Sequence, residues 1–176
     1  MKIVLTGFMG TGKSAVGCRL AERLGLRFID LDHAIEHAAG MTIPEIFASE
    51  GESGFRRRER ELIGSLETRQ DCVIATGGGA VLDHENVRNL KRGAVIVCLW
   101  AEPPVIIERI GADSQRPLLQ APNRLTRIQE LLAQRAAAYA EADLSVETSN
   151  SDVEEIVDRI VQHFRLEPAG TSGTER

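Results

Sequence analysis

The chain has 176 residues, 43% hydrophobic and 27% charged, with a formal net charge of −5. That is the size and composition of one globular domain with its own core, and the acidic balance argues against nucleic-acid binding through bulk electrostatics. Aromatic residues, at 4%, are too few for base-stacking platforms, and no stretch reaches the roughly 20 apolar residues of a membrane span.

Short apolar runs alternate with amphipathic stretches along the chain. Lys2–Thr6 (KIVLT) predicts a first strand. In 14–24 (SAVGCRLAERL), Val16, Leu20 and Leu24 recur at helical spacing. Residues 27–31 (RFIDL) predict a second strand, followed by helices over 32–39 and 43–66. Residues 72–76 (CVIAT) predict a third strand and 85–91 a helix. Ala94–Trp100 (AVIVCLW) is apolar throughout, as a strand covered on both faces would be. Helices are predicted over 103–110, 125–140 and 152–164, with a short fifth strand over 144–147. Alternation of strand and helix implies an α/β three-layer sandwich around a parallel sheet. One domain over 1–166 is expected. Residues 167–176 (EPAGTSGTER) have nothing to bury and predict a disordered tail. The irregular segment 111–123 (GADSQRPLLQAPN) lies between helices and predicts a mobile flap.

The three cysteines, Cys18, Cys72 and Cys98, are odd in number and lack metal-ligand spacing. Cys72 and Cys98 sit in apolar runs and read as buried, reduced thiols. The first apolar run is too short for a signal peptide and ends in glycines. A cytoplasmic protein is expected, and a monomer, since no heptad pattern or long apolar face is left over. The four histidines are scattered and read as surface residues, and Trp100, after an apolar strand, reads as a packing residue.

The first strand runs straight into Gly7-Phe8-Met9-Gly10-Thr11-Gly12-Lys13-Ser14, which fits the phosphate-binding pattern G-x-x-x-x-G-K-[ST] between a strand and a helix. Glycines let successive N–H groups turn inward with no Cβ in the way. The helix N-terminus adds a partial positive charge. Lys13 supplies a full charge for the β- and γ-phosphates, and Ser14 can ligate Mg²⁺. Gly10, Thr11, Gly12, Lys13, Ser14 and Ala15 form the expected nucleotide cradle. The guanine-reading N-K-x-D of GTPases is absent from the sequence, so a small-molecule or nucleotide kinase is expected.

Three features bear on the acceptor. Asp30-Leu31-Asp32 ends the second strand, and ligands of parallel sheets lie beyond the carboxyl ends of strands. Strand alternation would aim both carboxylates the same way, one toward a Mg²⁺-bound water and the other toward an acceptor hydroxyl. Asp32 also reads as a helix N-cap. In Gly54-Phe55-Arg56-Arg57-Arg58-Glu59, Arg56 and Glu59 are three apart and can pair on one helix face. That would present a rigid guanidinium to a carboxylate; a solvated basic face is the alternative. Gly77-Gly78-Gly79 after the third strand lets a ligand lie against the backbone, or makes only a flexible connection.

Taken in order and spacing, GFMGTGKSAVG, FIDLD, GFRRRE, TGGGAV, RPLL and QRAAAY resemble shikimate kinase, over nearly the whole chain from Lys2 to Phe164. The resemblance implies a five-stranded parallel sheet of the P-loop nucleoside triphosphate hydrolase type, as in nucleoside monophosphate kinases. It also implies an acceptor-binding region over about 32–60 and a lid over about 111–123. It implies roles too: Lys13, Asp32 and Arg116 in catalysis, with Asp32 near the phosphoryl acceptor and Arg116 swinging in from the lid. Asp30 would organise Mg²⁺ through water. Arg56 and Arg135 would clamp the shikimate carboxylate, with Glu59 orienting Arg56. Gly77, Gly78 and Gly79 would line the acceptor pocket. Arg109 and Thr148-Ser149-Asn150 would flank the adenine of ATP.

The expected reaction is phosphoryl transfer from ATP, with Mg²⁺, to the 3-hydroxyl of shikimate. Two readings stand beside it: another small P-loop kinase, such as a gluconate or nucleoside monophosphate kinase, and a catalytically silent nucleotide-binding module.

Overall fold

A computed structural model describes residues 1–111 and 123–168. All of the predicted lid but its two end residues, Arg116 included, lies outside the described residues, as does all of the predicted tail beyond Pro168.

The strands β1 (Lys2–Thr6), β2 (Arg27–Asp30), β3 (Cys72–Ala75), β4 (Ala94–Trp100) and β5 (Leu144–Glu147) form one sheet in the order β2-β3-β1-β4-β5. Every neighbouring pair is parallel. The helices are α1 (Lys13–Leu24), α2 (Leu31–Ala39), α3 (Ile43–Ser65), α4 (His84–Lys91), α5 (Pro103–Ile110), α6 (Arg124–Tyr139) and α7 (Val153–Phe164), with a 3₁₀ turn at Ala80–Leu82. The expected five-stranded parallel α/β architecture is present. Among the described residues no helix is long and apolar enough to cross a membrane.

Two-residue alternation along the strands builds both hydrophobic layers. Ile3, Leu5, Val73, Val97, Leu99 and Val146 face α1 and α7, meeting Val16, Leu20, Ile156 and Ile160. Val4, Ile74 and Ile96 face the opposite way, onto Leu31, Ile63 and Leu90 of α2, α3 and α4. Each fully buried aliphatic side chain contributes about 1.5–3 kcal/mol, so the two clusters fix the sheet and leave its rim free for chemistry. A third cluster, with Phe8 and Met9 against Ile106, Ile128 and Leu131, seats the first loop on α5 and α6.

Local signals end the helices where the chain must turn. Gly25 and Gly40 close α1 and α2 in the left-handed conformation. Thr42 with Glu45 and Asp152 with Glu155 make reciprocal capping boxes on α3 and α7. Lys2, buried at the start of β1, donates from Nζ to the Glu67 carbonyl beyond the end of α3 at 2.9 Å. Cys72 and Cys98 are buried, and burial pushes the Cys98 thiol up to about 11, while Cys18 is exposed.

Two local expectations differ from the structure. Trp100, the last residue of β4, is 45% exposed. The predicted helix over 43–66 is broken at Gly51, where φ 69° and ψ −176° interrupt the helical backbone. The second piece, 52–65, carries Arg56 and Glu59 in its new direction. That backbone region is essentially restricted to glycine, and another residue there costs about 1–3 kcal/mol. Gly51→Ala is therefore expected to lower Tm by several degrees, at about 2–4 °C per kcal/mol for a domain of this size. An unchanged melting temperature by scanning calorimetry would show that Gly51 does not set the bend.

Candidate active site

β1 lies mid-sheet between β3 and β4; its crossover runs toward β2 while that of its neighbour β4 runs toward β5, and this divergence opens a crevice at their carboxyl ends. The glycine-rich loop fills that position. Gly7, Gly10 and Gly12 take φ of 132°, 77° and 89°. A Cβ on Gly7 would stand 2.0 Å from the Leu99 carbonyl oxygen, so no larger residue fits there. Thr11 Oγ1 closes the loop on the Phe8 carbonyl at 2.7 Å. Gly12 caps α1 without any side-chain hydrogen bond, so the first amides of the helix face the loop and suit an anion. Lys13 Nζ crosses back over the loop to the carbonyls of Gly7 and Phe8, at 2.9 and 2.7 Å. Ser14 and Ala15 are exposed at the start of α1.

The Asp30/Asp32 geometry corrects the strand-alternation argument. β2 ends at Asp30, and Asp32 already stands in the first turn of α2. Asp30, rather than Asp32, is the N-cap: its Oδ1 accepts from the amides of Asp32 and His33 at 3.1 and 3.3 Å. Its Oδ2 accepts from Ser14 Oγ at 2.6 Å. The cap therefore joins the start of α1 to the start of α2, and the helical turn, not the pleat, aims Asp32 at its neighbours.

Those neighbours surround the glycine turn after β3. A Cβ on Gly77 would lie 2.9 Å from Asp32 Oδ1 and 3.1 Å from Glu59 Oε1. One on Gly79 would lie 2.6 Å from Arg56 Nη2, and one on Gly78 would lie 3.6 Å from Arg135 Nη1 and 3.3 Å from the Met9 amide nitrogen. The turn thus brings α2, α3, α6 and the phosphate loop together. Arg56 Nη1 donates to Glu59 Oε2 at 2.8 Å, as the three-residue spacing predicts. Arg57 and Arg58 turn away to Glu50, and Arg60 reaches Asp83; of the run Arg56–Arg58 only Arg56 joins the site.

Arg135 is 4% exposed. Its Nη1 donates to the Gly78 carbonyl at 2.9 Å, its guanidinium carbon lies over the Phe8 ring 5.2 Å from the centroid, and its Nε has no hydrogen-bond partner among the described residues. Arg109 lies apart, on the β5 side, where Nη1 donates to Thr148 Oγ1 at 3.0 Å and approaches the Gly10 carbonyl at 3.4 Å. Buried Thr148 in turn has its hydroxyl 3.2 Å from the Thr11 carbonyl. Arg109 therefore borders the phosphate loop at the end opposite Asp32. Ser149 Oγ accepts from the Glu102 amide at 2.9 Å, tying β5 to the start of α5.

A phosphate-binding loop facing a carboxylate and two arginines across a glycine turn is built for phosphoryl transfer to an anionic acceptor. The family model for shikimate kinase matches residues 9–165. The chain belongs to the shikimate kinase family. The shikimate kinase of Thermodesulfovibrio yellowstonii is 47% identical over 92% of this chain and 94% of its own. That of Thermus thermophilus is 45% identical over 91% and 88%. Among solved structures, a shikimate kinase from Acinetobacter baumannii in complex with shikimate superposes with a TM-score of 0.89 at 40% identity, covering 93% of this chain and 92% of that one.

Two residues that lie in the quoted motifs, but to which the sequence assigned no role, contact Arg135 and the glycine turn. Phe8 supplies the ring under Arg135, and no spacing rule announces it. Tyr139 donates from its hydroxyl to the Gly78 carbonyl at 2.8 Å; its place four residues after Arg135, on one helix face, was the available signal.

The electrostatics centre on Glu59, which is 1% exposed. Burial pushes its carboxyl above the ordinary value, the Arg56 guanidinium opposes that shift, and Asp32 and Asp83 reinforce it. A carboxyl whose folded pKa is raised favours the fold fully below its unfolded value, 4.5, and loses that contribution as pH rises through the folded value. The stability of the native chain relative to Glu59→Gln is therefore expected to fall as pH rises from about 4.5 toward neutrality. Urea unfolding of both proteins across that range checks the sign, and a native chain that gains stability relative to Glu59→Gln as pH rises contradicts it.

Proposed function

We propose that the protein transfers the γ-phosphoryl group of ATP to the 3-hydroxyl of shikimate, giving shikimate 3-phosphate and ADP, a step of aromatic amino acid biosynthesis. The observation that carries this reading is the meeting of Asp32, Arg56 and Arg135 around Gly77–Gly79, directly across from the phosphate loop.

Phosphoryl transfer passes through a loose transition state, so alignment and charge matter more than covalent assistance. The amides of the loop and Lys13 would hold the β- and γ-phosphates, the ammonium exchanging its present carbonyl partners for phosphate oxygens. Arg56, braced by Glu59, and Arg135 would take the acceptor's carboxylate in bidentate fashion. That grip would leave the 3-hydroxyl beside Asp32. The hydroxyl oxygen bonds to the γ-phosphorus as the bond to the β,γ-bridging oxygen breaks, and Asp32 receives the hydroxyl proton. Its orientation of the hydroxyl counts as much as its basicity. Arg109 would flank the adenine, and Arg116, outside the described residues, would add positive charge at the phosphates.

Ser14 Oγ and Asp30 Oδ2, 2.6 Å apart, are hard oxygen donors suited to Mg²⁺. Among the described residues no cluster of three or more His, Cys, Asp or Glu side chains could hold a metal. The ion would therefore take its remaining ligands from phosphate and water, which is the habit of Mg²⁺ in kinases. Bound there, it would neutralise charge on the transferring phosphoryl group.

An ADP-release assay with ATP and a panel of acceptors tests the reading. Shikimate is expected to support turnover, and gluconate and nucleoside monophosphates are not. Release with gluconate instead would make the protein a different small-molecule kinase, and no release with any acceptor would make it a silent binding module. Asp32→Asn keeps size and removes charge; kcat is expected to fall by at least about 100-fold. Near-normal turnover in that variant would take Asp32 out of the mechanism.

A further inference from the structure

Tyr139, the last residue of α6, shares a single acceptor with Arg135. Its hydroxyl reaches the Gly78 carbonyl at 2.8 Å and Arg135 Nη1 reaches the same oxygen at 2.9 Å. A carbonyl oxygen has two lone pairs, and α6 fills both. Gly77, Gly78 and Gly79 have no side chains with which to lock their own turn; the Gly77 and Gly79 carbonyls accept from the amides of Ala80 and Leu82, both at 3.1 Å, and the Gly78 carbonyl is held from outside, by α6. Fixing the Gly78 carbonyl also fixes the Gly79 N–H, since the two lie antiparallel in one planar peptide.

Arg135 holds this carbonyl through one N–H of a fork that has five. Its buried Nε has no hydrogen-bond partner among the described residues, so the guanidinium has donor capacity left for an anion. When the fork turns toward a carboxylate, its bond to Gly78 weakens, and a buried carbonyl left unpaired is costly. The tyrosine hydroxyl removes that cost. Burial pushes the phenol above its ordinary value, with the Arg135 guanidinium working the other way, so at neutral pH it keeps its proton and donates.

We propose that Tyr139 is a positioning residue of the acceptor pocket: its hydroxyl holds the Gly78 carbonyl in place so that Arg135 can commit to the acceptor's carboxylate without releasing the glycine turn. The inference rests on the acceptor reading above, in which Arg135 meets a carboxylate.

Tyr139→Phe keeps the ring and removes the hydroxyl. KM for shikimate is expected to rise about tenfold, the worth of one buried hydrogen bond, with KM for ATP essentially unchanged. In an Arg135→Lys background the same substitution should raise KM for shikimate far less, because the two side chains act on one carbonyl. An unchanged KM for shikimate in Tyr139→Phe would overturn the proposal. So would an equal rise in both KM values accompanied by a fall in Tm, which marks a merely structural role. Strict additivity with Arg135→Lys would overturn it as well. Native enzyme that releases no ADP with shikimate would instead sink the acceptor reading, and that is seen before any variant is made.

Discussion

Three consecutive residues without a Cβ are the constraint around which the site is arranged. Asp32, Arg56, Glu59 and Arg135 come from three different helices; a methyl group on Gly77 would crowd Asp32 and Glu59, one on Gly79 would crowd Arg56, and Arg135 lies in van der Waals reach of one on Gly78. The backbone itself becomes the floor on which the charged groups meet. The same turn touches the phosphate loop through Met9 and Gly7, so the two halves of the crevice are spaced by bare peptide rather than by side chains that could change rotamer.

This arrangement also explains how a chain with a net charge of −5 can be organised around two anionic ligands. Overall charge acts at a distance and is screened within about 8–10 Å by salt. The cations gathered at the glycine turn are few and local. Arg135 is sheltered by Phe8, and Arg56 is braced by a buried carboxylate. Guanidinium groups held in a low-dielectric setting gain more from a bidentate partner than exposed ones do. The surplus acidic residues are spent elsewhere, in surface ion pairs such as Lys91 with Glu141, and in helix caps.

Much of the fold was legible because its signals are local. β1, β4, β5 and α5 begin and end where apolar runs meet glycine, proline or acidic residues. The phosphate loop was legible because its chemistry dictates both residue type and spacing. What escaped depends on direction rather than identity. The Asp30/Asp32 pair was assigned to one strand, yet a helix begins between them, and only the cap geometry decides which carboxylate serves the backbone. The bend at Gly51 is invisible to a helical pattern that continues on both sides. Trp100 continues an apolar run, yet it stands exposed between buried Leu99 and buried Ala101. The partnership of Phe8 with Arg135 spans most of the chain and leaves no periodic trace.

Asp30 joins two functions in one carboxylate, anchoring α2 with one oxygen and Ser14 with the other. The boundary between the phosphate loop with α1 and the α2 side of the crevice therefore does not fall at a loop. Anyone grafting a different acceptor module onto this scaffold would have to cut ahead of β2's final residue or behind the first turn of α2. A splice between them would sever the joint that keeps both halves in register.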